Sequence, residues 1–230
     1  MSDWMLDELA HAGHEHLAAA YVARYEAKAG YDPAPDIEVL TRHGFGADST
    51  VVDMGAGTGR FAVTAATRCR HVVAVDVSPA MVAVLRQRTS TLAQSNITVV
   101  QAGFLSYEHA GAPADFVFTR NALHQIPDFW KGIALTRLAA MLAPGGILRL
   151  RDLIYDIEPG EVATWIPPWF AGAVADPAKG YTADDLAEHV RTEHSTYRWL
   201  FEPLLEHAGF EIVDCSFVRG AYGAYTCRRR

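Results

Sequence analysis

A glycine-rich turn between two apolar runs is the feature that most constrains the fold of this chain. The turn, residues 55–59 (GAGTG), follows the β-branched pair Val51-Val52 closely, and a second apolar run, 72–75, ends at the acid Asp76. Glycines let a ligand lie against bare backbone, and a carboxylate after the second strand can accept hydrogen bonds from ribose hydroxyls. The pattern predicts the nucleotide-binding half of a doubly wound α/β sheet.

The glycine spacing favours one kind of nucleotide ligand. A dinucleotide site has the form G-x-G-x-x-G, because the helix N-terminus must hold a pyrophosphate. This chain has G-x-G-x-G followed by Arg60, and Asp53 stands two residues before the first glycine. A carboxylate there would repel phosphate but suits an ammonium or a sulfonium. An NAD-dependent oxidoreductase is therefore the less favoured alternative.

Residues 53–59 resemble motif I of the class I S-adenosylmethionine-dependent methyltransferases, which has the form E/D-x-G-x-G-x-G. Three further segments, 78–81 (SPAM), 115–128 (DFVFTRNALHQIPD) and 142–148 (LAPGGIL), are similar to motifs of the small-molecule, ubiquinone/menaquinone-methyltransferase-like members. The resemblance implies S-adenosylmethionine as cofactor and methyl transfer to a small-molecule acceptor by direct displacement. The alternative is an S-adenosylmethionine-binding protein of this fold that has lost catalysis and acts as a regulator.

The expected fold is α/β, a Rossmann-like seven-stranded sheet with helices on both faces, an antiparallel last strand and an N-terminal helical cap. Strands alternating with helices predict a parallel sheet covered on both sides. We expect a cap over 1–47 and a main domain over 48–230 that carries an irregular stretch, 153–180, within a substrate-lid insertion, 153–197. The predicted strands are 50–54, 71–76, 96–101, 114–119, 146–152, 210–218 and 221–227; the predicted helices near or after the first strand are 59–68, 79–93, 128–142, 182–190 and 197–207.

The resemblance implies a set of cofactor contacts at the ends of these strands. Asp53 and the 55–59 glycines would hold the amino-acid end of the cofactor, and Asp76 its ribose. Family members often place Gly-Asp after the third strand, where the acid holds the adenine, but this chain has Gly103-Phe104. Backbone groups and the phenyl ring are therefore expected beside the adenine. The full expected set is Asp53, Gly55, Ala56, Gly57, Gly59, Asp76, Val77, Gly103, Phe104, Asn121 and Tyr25.

The candidates for the acceptor side each carry an alternative. His124 follows the fourth strand, and its ordinary pKa near 6.5 suits a general base; it could equally support the loop. Trp165 and Trp169 flank two prolines and would either line an apolar pocket or pack the segment down. Tyr21 shares a helix face with Tyr25 as a lid or as core. The expected acceptor contacts are Tyr21, Trp165, Trp169 and His194.

Composition narrows the expected partners. A net charge of −7 argues against a nucleic-acid substrate, which favours a basic face. No apolar run approaches the ~18 residues that span a bilayer, so no membrane is expected. The three cysteines form no C-x-x-C pair, which suits a reduced, cytoplasmic protein. The sequence leaves open whether the protein forms a homodimer.

A histidine cluster near the N-terminus raises the question of a metal. His11, His14 and His16 crowd the first predicted helix. Their spacing puts only two of them on one helix face, and no second group of ligands stands out in the sequence. A solvated helix face is the favoured interpretation, and no metal site is expected.

Overall fold

An eight-stranded sheet forms the centre of the computed structural model, which describes residues 4–13, 22 and 30–230. Seven strands follow the order β3-β2-β1-β4-β5-β8-β7, and the two-residue β6 pairs with the end of β5. Strand β8 runs antiparallel to both of its neighbours, β5 and β7, and the other strand pairs of the described residues are parallel. The predicted Rossmann-like fold with an antiparallel last strand is confirmed. The strands are β1 Thr50–Met54, β2 His71–Asp76, β3 Ile97–Gln101, β4 Ala114–Arg120, β5 Leu142–Tyr155, β6 Thr196–Tyr197, β7 Phe210–Val218 and β8 Tyr222–Arg229.

Helices cover both faces of the sheet. They are α1 Ala34–Arg42, α2 Arg60–Ala66, α3 Pro79–Thr91, α4 Asp128–Met141, α5 Val162–Ala171, α6 Ala183–Thr192 and α7 Arg198–His207, with 3-10 turns at Leu123–Gln125 and Pro159–Glu161. Ser78 caps α3 by accepting a hydrogen bond from the Met81 N–H, and Pro79 occupies the first helical position. Within the described residues, every helix is too short or too polar to cross a membrane.

The alternation of side chains along each strand divides the apolar core in two. Val52 and Met54 of β1 point to one face, where they meet α4 and α7, and Val51 points to the other, where it meets α1 and α2. Both faces are thus closed by helices, so the ends of the strands are the places left for a ligand. Helix α1, which lies in the predicted cap, contributes Ile37 and Leu40 to the second cluster. The division into a cap and a main domain stays a prediction.

The segment 153–180 is more regular than predicted. Strand β5 extends to Tyr155, and α5 follows with Pro167 and Pro168 inside it. Each proline lacks the N–H that an interior helix position uses, so the local pattern argues against a helix. Trp169 is only 4% exposed and packs against Leu153 and the neighbouring helix α6. The prediction of an irregular stretch was wrong here, because this packing outweighs the local preference.

Candidate functional site

A cleft lies at the carboxyl ends of β1, β2 and β4, where the strand order reverses around β1. Open α/β sheets bind ligands at this position. Two adjoining cavities, with about 690 and 430 Å3 of free space including their mouths, share Gly55, Gly57 and Arg120. We call this continuous space the cofactor cleft. The expected cofactor residues that line it are Asp53, Gly55, Ala56, Gly57, Asp76, Val77, Gly103, Phe104 and Asn121.

The three glycines of the turn are needed for different structural reasons. Gly55, Gly57 and Gly59 all have positive φ, at 71°, 55° and 85°, which favours glycine. A Cβ at Gly55 would overlap Ala122, and one at Gly59 would overlap Leu85, whereas nothing lies within 4 Å of a Cβ at Gly57. Gly59 therefore allows α2 and α3 to pack closely and lies outside the lining of the cleft. Gly57 leaves its backbone open to it.

The two acids of the cleft differ in their partners. Asp76 accepts hydrogen bonds from the Gly57 N–H at 2.7 Å and the Ser78 N–H at 2.8 Å, which ties the glycine turn to the start of α3. Asp53 is 2% exposed, and its Oδ2 has no hydrogen-bond partner among the described residues. Burial, and then the charge of Asp76, raise the pKa of Asp53 well above its ordinary value. A buried acceptor without a partner is unfavourable until a cation pairs with it.

The end of the cleft beside Gly103 and Phe104 holds an acid that the sequence analysis missed. Glu8 lines the larger cavity beside Gly103 and Phe104, and its carboxylate accepts hydrogen bonds from the Leu105 N–H at 3.0 Å and the Ser106 hydroxyl at 3.1 Å. A Cβ at position 103 would overlap this carboxylate. Burial raises the pKa of Glu8 above its ordinary value. No local signal could have revealed the contact, because 97 residues separate Glu8 from Leu105.

A cation lies where the two cavities meet. The Arg120 guanidinium is 4.1 Å from the centre of the Tyr31 ring. The Tyr31 hydroxyl donates to Asp36 at 3.0 Å, and Asp36 also accepts from Arg149 at 3.0 Å and Arg151 at 2.9 Å. This chain of contacts anchors the ring of Tyr31, which in turn positions the Arg120 side chain. Arg120 gives the cleft a fixed positive charge.

His124 is 6% exposed and is not among the residues that line the cofactor cleft. Its Nδ1 contacts the Asp152 carboxylate, and its Nε2 lies 2.9 Å from Glu193 Oε2. Burial alone would lower the pKa of His124, but the two carboxylates outweigh it and raise the pKa to about 10. An imidazole that keeps its proton at neutral pH suits the structural alternative better. A role as general base stays a prediction.

The other expected acceptor residues lie apart from the cleft or outside the described residues. Trp165 stacks on Trp169 with ring centroids 4.7 Å apart, and its Nε1 donates to the Arg219 carbonyl at 3.2 Å. Both pack α5 onto the β7–β8 hairpin. The His194 N–H donates to the His124 carbonyl at 2.8 Å. Tyr21 and Tyr25 are outside the described residues, as are His14 and His16. Their contacts with ligands stay predictions.

Comparison with known proteins identifies the family. Residues 51–146 match the family model described as a methyltransferase domain. An uncharacterized methyltransferase from Exiguobacterium sibiricum is 30% identical over 178 residues, which are 76% of this chain and 75% of that protein. A trans-aconitate 2-methyltransferase from Methylobacterium radiotolerans is 31% identical over 63% of this chain, and the match spans only about half (54%) of its own length.

A solved structure supports the fold. Magnesium protoporphyrin IX methyltransferase from Synechocystis PCC 6803 with bound S-adenosylmethionine has a TM-score of 0.67 and 15% identity, and the match covers 100% of both chains. At this identity the likeness concerns the fold alone. The sequence relatives, the matching domain and the cleft at the strand ends agree with one another. The chain therefore belongs to a methyltransferase family, and the solved structure that shares its fold carries S-adenosylmethionine.

Proposed function

We propose that this chain binds S-adenosylmethionine in the cofactor cleft and transfers its methyl group to a small-molecule acceptor. The observation that carries the proposal is the Asp53 Oδ2 atom, which is buried at the wall of the smaller cavity without a partner among the described residues. Its natural counterpart is a cationic donor. The ammonium of an amino-acid moiety is such a donor. The buried carboxylate is stabilised as an anion only when a cation pairs with it.

The remaining polar groups of the cleft fit the other parts of the cofactor. Asp76 uses one hydrogen bond on each carboxylate oxygen, so each oxygen keeps a lone pair for a ribose hydroxyl. The backbone of Gly57 is open and can lie against the ligand. Phe104 and Glu8 would border the adenine, the first by ring contact and the second as a hydrogen-bond acceptor.

Bound S-adenosylmethionine supplies an electrophilic methyl group on a sulfonium. The residues of this chain would hold the donor and the acceptor in line, and positioning of this kind can account for a large share of a rate enhancement. Among the described residues, His124 faces Asp152 and Glu193 and is absent from the lining of the cleft. We infer that transfer proceeds by proximity and orientation, without His124 as a base.

The guanidinium of Arg120 favours an acidic acceptor. Arg120 lines both cavities, and within the described part of the chain only the Tyr31 ring is recorded against its guanidinium. A guanidinium matches the planar geometry of a carboxylate. The name of one relative, trans-aconitate 2-methyltransferase, points to a carboxylic acid as the acceptor of that protein. Small carboxylic acids are therefore the first class of acceptor to test.

The experiment combines binding with turnover. Calorimetric titration measures the affinity for S-adenosylmethionine and for S-adenosylhomocysteine, with NAD as the control ligand. A methyl-labelled donor is then incubated with the protein and a panel of small carboxylic acids, amines and phenols, and labelled product is identified by mass spectrometry. We expect binding of both sulfur ligands, no binding of NAD and label in a carboxylic acid.

The outcomes separate the proposal from its alternative. Tight binding without labelled product across the panel and across a metabolite extract would favour a regulator that binds the cofactor without turnover. Binding of NAD in preference to S-adenosylmethionine would overturn the assignment of the cleft. Label in amines alone would keep the methyltransferase and remove the acidic acceptor.

A further inference from the structure

Three side chains with metal-binding atoms converge beside the cofactor cleft. His124 comes from the 3-10 turn after β4, His189 from α6, and Glu193 from the residue that follows α6. One ligand atom from each lies within 4.8 Å of the others. Both histidines are buried, at 6% and 9% exposure. We call these three residues the His–Glu cluster.

The outer partners of the two imidazoles leave their inner nitrogens facing one carboxylate. Asp152 contacts Nδ1 of His124, and Ser195 Oγ lies 2.8 Å from Nε2 of His189. The remaining nitrogens, His124 Nε2 and His189 Nδ1, lie 2.9 and 2.5 Å from the same atom, Glu193 Oε2, and the Gln125 amide nitrogen lies 3.0 Å from His124 Nε2. Histidines that bind a metal through one nitrogen almost always donate the other N–H to an oxygen. Both rings have such an oxygen in place.

Charge balance also calls for cations at this position. Asp152 and Glu193 are two carboxylates around two imidazoles, and three of these four residues are buried. Neutralising both carboxylates takes two imidazolium protons or one divalent cation. A divalent cation would leave both imidazoles neutral, each with its single proton directed at Asp152 or Ser195, and would pair with the buried Glu193 Oε2.

We propose that the His–Glu cluster is a binding site for a divalent transition metal of the zinc class. His124 Nε2, His189 Nδ1 and one Glu193 oxygen would be the protein ligands, and a water the fourth. Imidazole and carboxylate ligands in a tetrahedral set suit Zn2+. Ligand bonds of about 2.0–2.2 Å require the Glu193 carboxylate to withdraw by about 1 Å. Glu193 ends α6 and is partly exposed, so it has room to do so.

The bound metal would hold the segment between β5 and β6 against the wall of the cofactor cleft. Ala122, Gln125 and Ile126, which lie within two positions of His124 in the chain, line the larger cavity. His189 and Glu193 belong to the segment between β5 and β6. A metal that joins the two would hold this segment against the β4 loop. This role is independent of cofactor binding and of methyl transfer.

The test measures metal uptake directly on the untagged full-length chain. After removal of metals with a chelator, Zn2+ is titrated by calorimetry, and Co2+ by its visible absorption, which is strong in tetrahedral sites. We expect one equivalent of Zn2+, a tetrahedral Co2+ spectrum and a thermal midpoint that rises with Zn2+. His189→Gln should weaken Zn2+ binding by more than about 100-fold, since loss of an outer partner already costs 10- to 100-fold.

Two further variants guard against misfolding and against adventitious sites. Ser195→Ala removes only the outer partner of His189 and should weaken Zn2+ binding by about 10-fold in a folded protein. His207→Gln removes an exposed helix-end histidine far along the chain and should bind Zn2+ like the wild type. Absence of a stoichiometric site in the wild type would overturn the proposal. So would wild-type affinity in His189→Gln, which would place the bound metal elsewhere.

Discussion

The cofactor cleft and the His–Glu cluster lie side by side but are assembled differently. The cleft takes Asp53, the glycine turn and Asp76 from the ends of adjacent strands, within 23 positions of one another in the chain. The cluster joins His124 to residues 65 and 69 positions further on. Residues at the carboxyl ends of adjacent parallel strands lie close together because those ends share one edge of the sheet. Residues in the long segment between β5 and β6 reach His124 only if that segment folds back onto the β4 loop.

The two regions also differ in how their polar groups are satisfied. Asp53 Oδ2 of the cleft and Glu193 Oε2 of the cluster both lack a hydrogen-bond partner among the described residues, but Glu193 Oε2 lies 2.9 and 2.5 Å from the nitrogens of two imidazoles. A buried acid without a cation beside it gives up stability for a ligand, whereas an acid held between two imidazoles supports the fold. Substitutions in the cleft should therefore change cofactor affinity most, and those in the cluster should change stability most.

The largest loss of affinity is expected for Gly57→Val. The position has positive φ and open space toward the cleft, so a branched side chain would stand where the ligand meets backbone. We expect affinity for S-adenosylmethionine to fall by more than about 100-fold, or ~2.7 kcal/mol. Gly111→Val is the matched control, since Gly111 also has positive φ and open surroundings but lies outside the cleft. Equal affinities in the two variants would remove the turn from the site.

Asp53→Asn should weaken binding by about 10- to 100-fold, because a hydrogen bond to a charged group contributes ~1.5–3 kcal/mol. Its free energy of unfolding should stay equal or rise, since a buried carboxylate without a full set of partners is removed. Asp76→Asn is the comparison: it should lose affinity and also stability, because Asp76 accepts two backbone N–H bonds. A stability loss in Asp53→Asn as large as that in Asp76→Asn would contradict the contrast.

The raised pKa of Asp53 predicts that the affinity for S-adenosylmethionine depends on pH. The pKa of Asp53 is raised by burial and by Asp76, and only the ionised carboxylate attracts a cation. Affinity for S-adenosylmethionine should therefore fall as the pH is lowered through this raised pKa, beginning above the ordinary carboxylate range near 4. Calorimetric titrations across pH should show this decline in the wild type and a flatter profile in Asp53→Asn. Parallel profiles would assign the dependence to another group.

A smaller effect is expected for Glu8→Gln. The amide keeps one acceptor oxygen for Leu105 or Ser106 but loses the charge and the second acceptor, so we expect a loss of about 2- to 10-fold in cofactor affinity. The matched control is Asp7→Asn on the exposed side of the same segment. If both variants bind like the wild type, the N-terminal segment contributes no affinity, and the cleft ends at Gly103 and Phe104.

The smallest change in cofactor affinity, less than about 3-fold, is expected for His124→Gln, which leaves the lining of the cleft intact. Its free energy of unfolding in the presence of a chelator should drop by about 3–5 kcal/mol, since Asp152 and Glu193 lose their shared cationic partner. Urea unfolding and calorimetry on the same samples measure both quantities. Reduced cofactor affinity with unchanged stability would reverse the comparison between the two regions.

Local patterns in the sequence determined the frame of this protein. Strands β1, β2 and β7 have the predicted bounds, and the other four long strands begin or end within a few residues of the prediction. Apolar runs, glycine turns and a Ser-Pro helix start act between neighbours in the chain, so their outcome depends little on distant residues. The same local patterns also place the glycine turn and the acids at the ends of the strands.

Only the tertiary structure decided which distant side chains complete the sites. Glu8 beside Gly103, the ring of Tyr31 under Arg120, and His189 and Glu193 around His124 are contacts between residues far apart in sequence. The two prolines of α5 argue for irregular backbone until Trp169 is buried against β5 and α6. Such contacts follow from how layers of helices pack on a sheet, and that packing is a property of the whole chain.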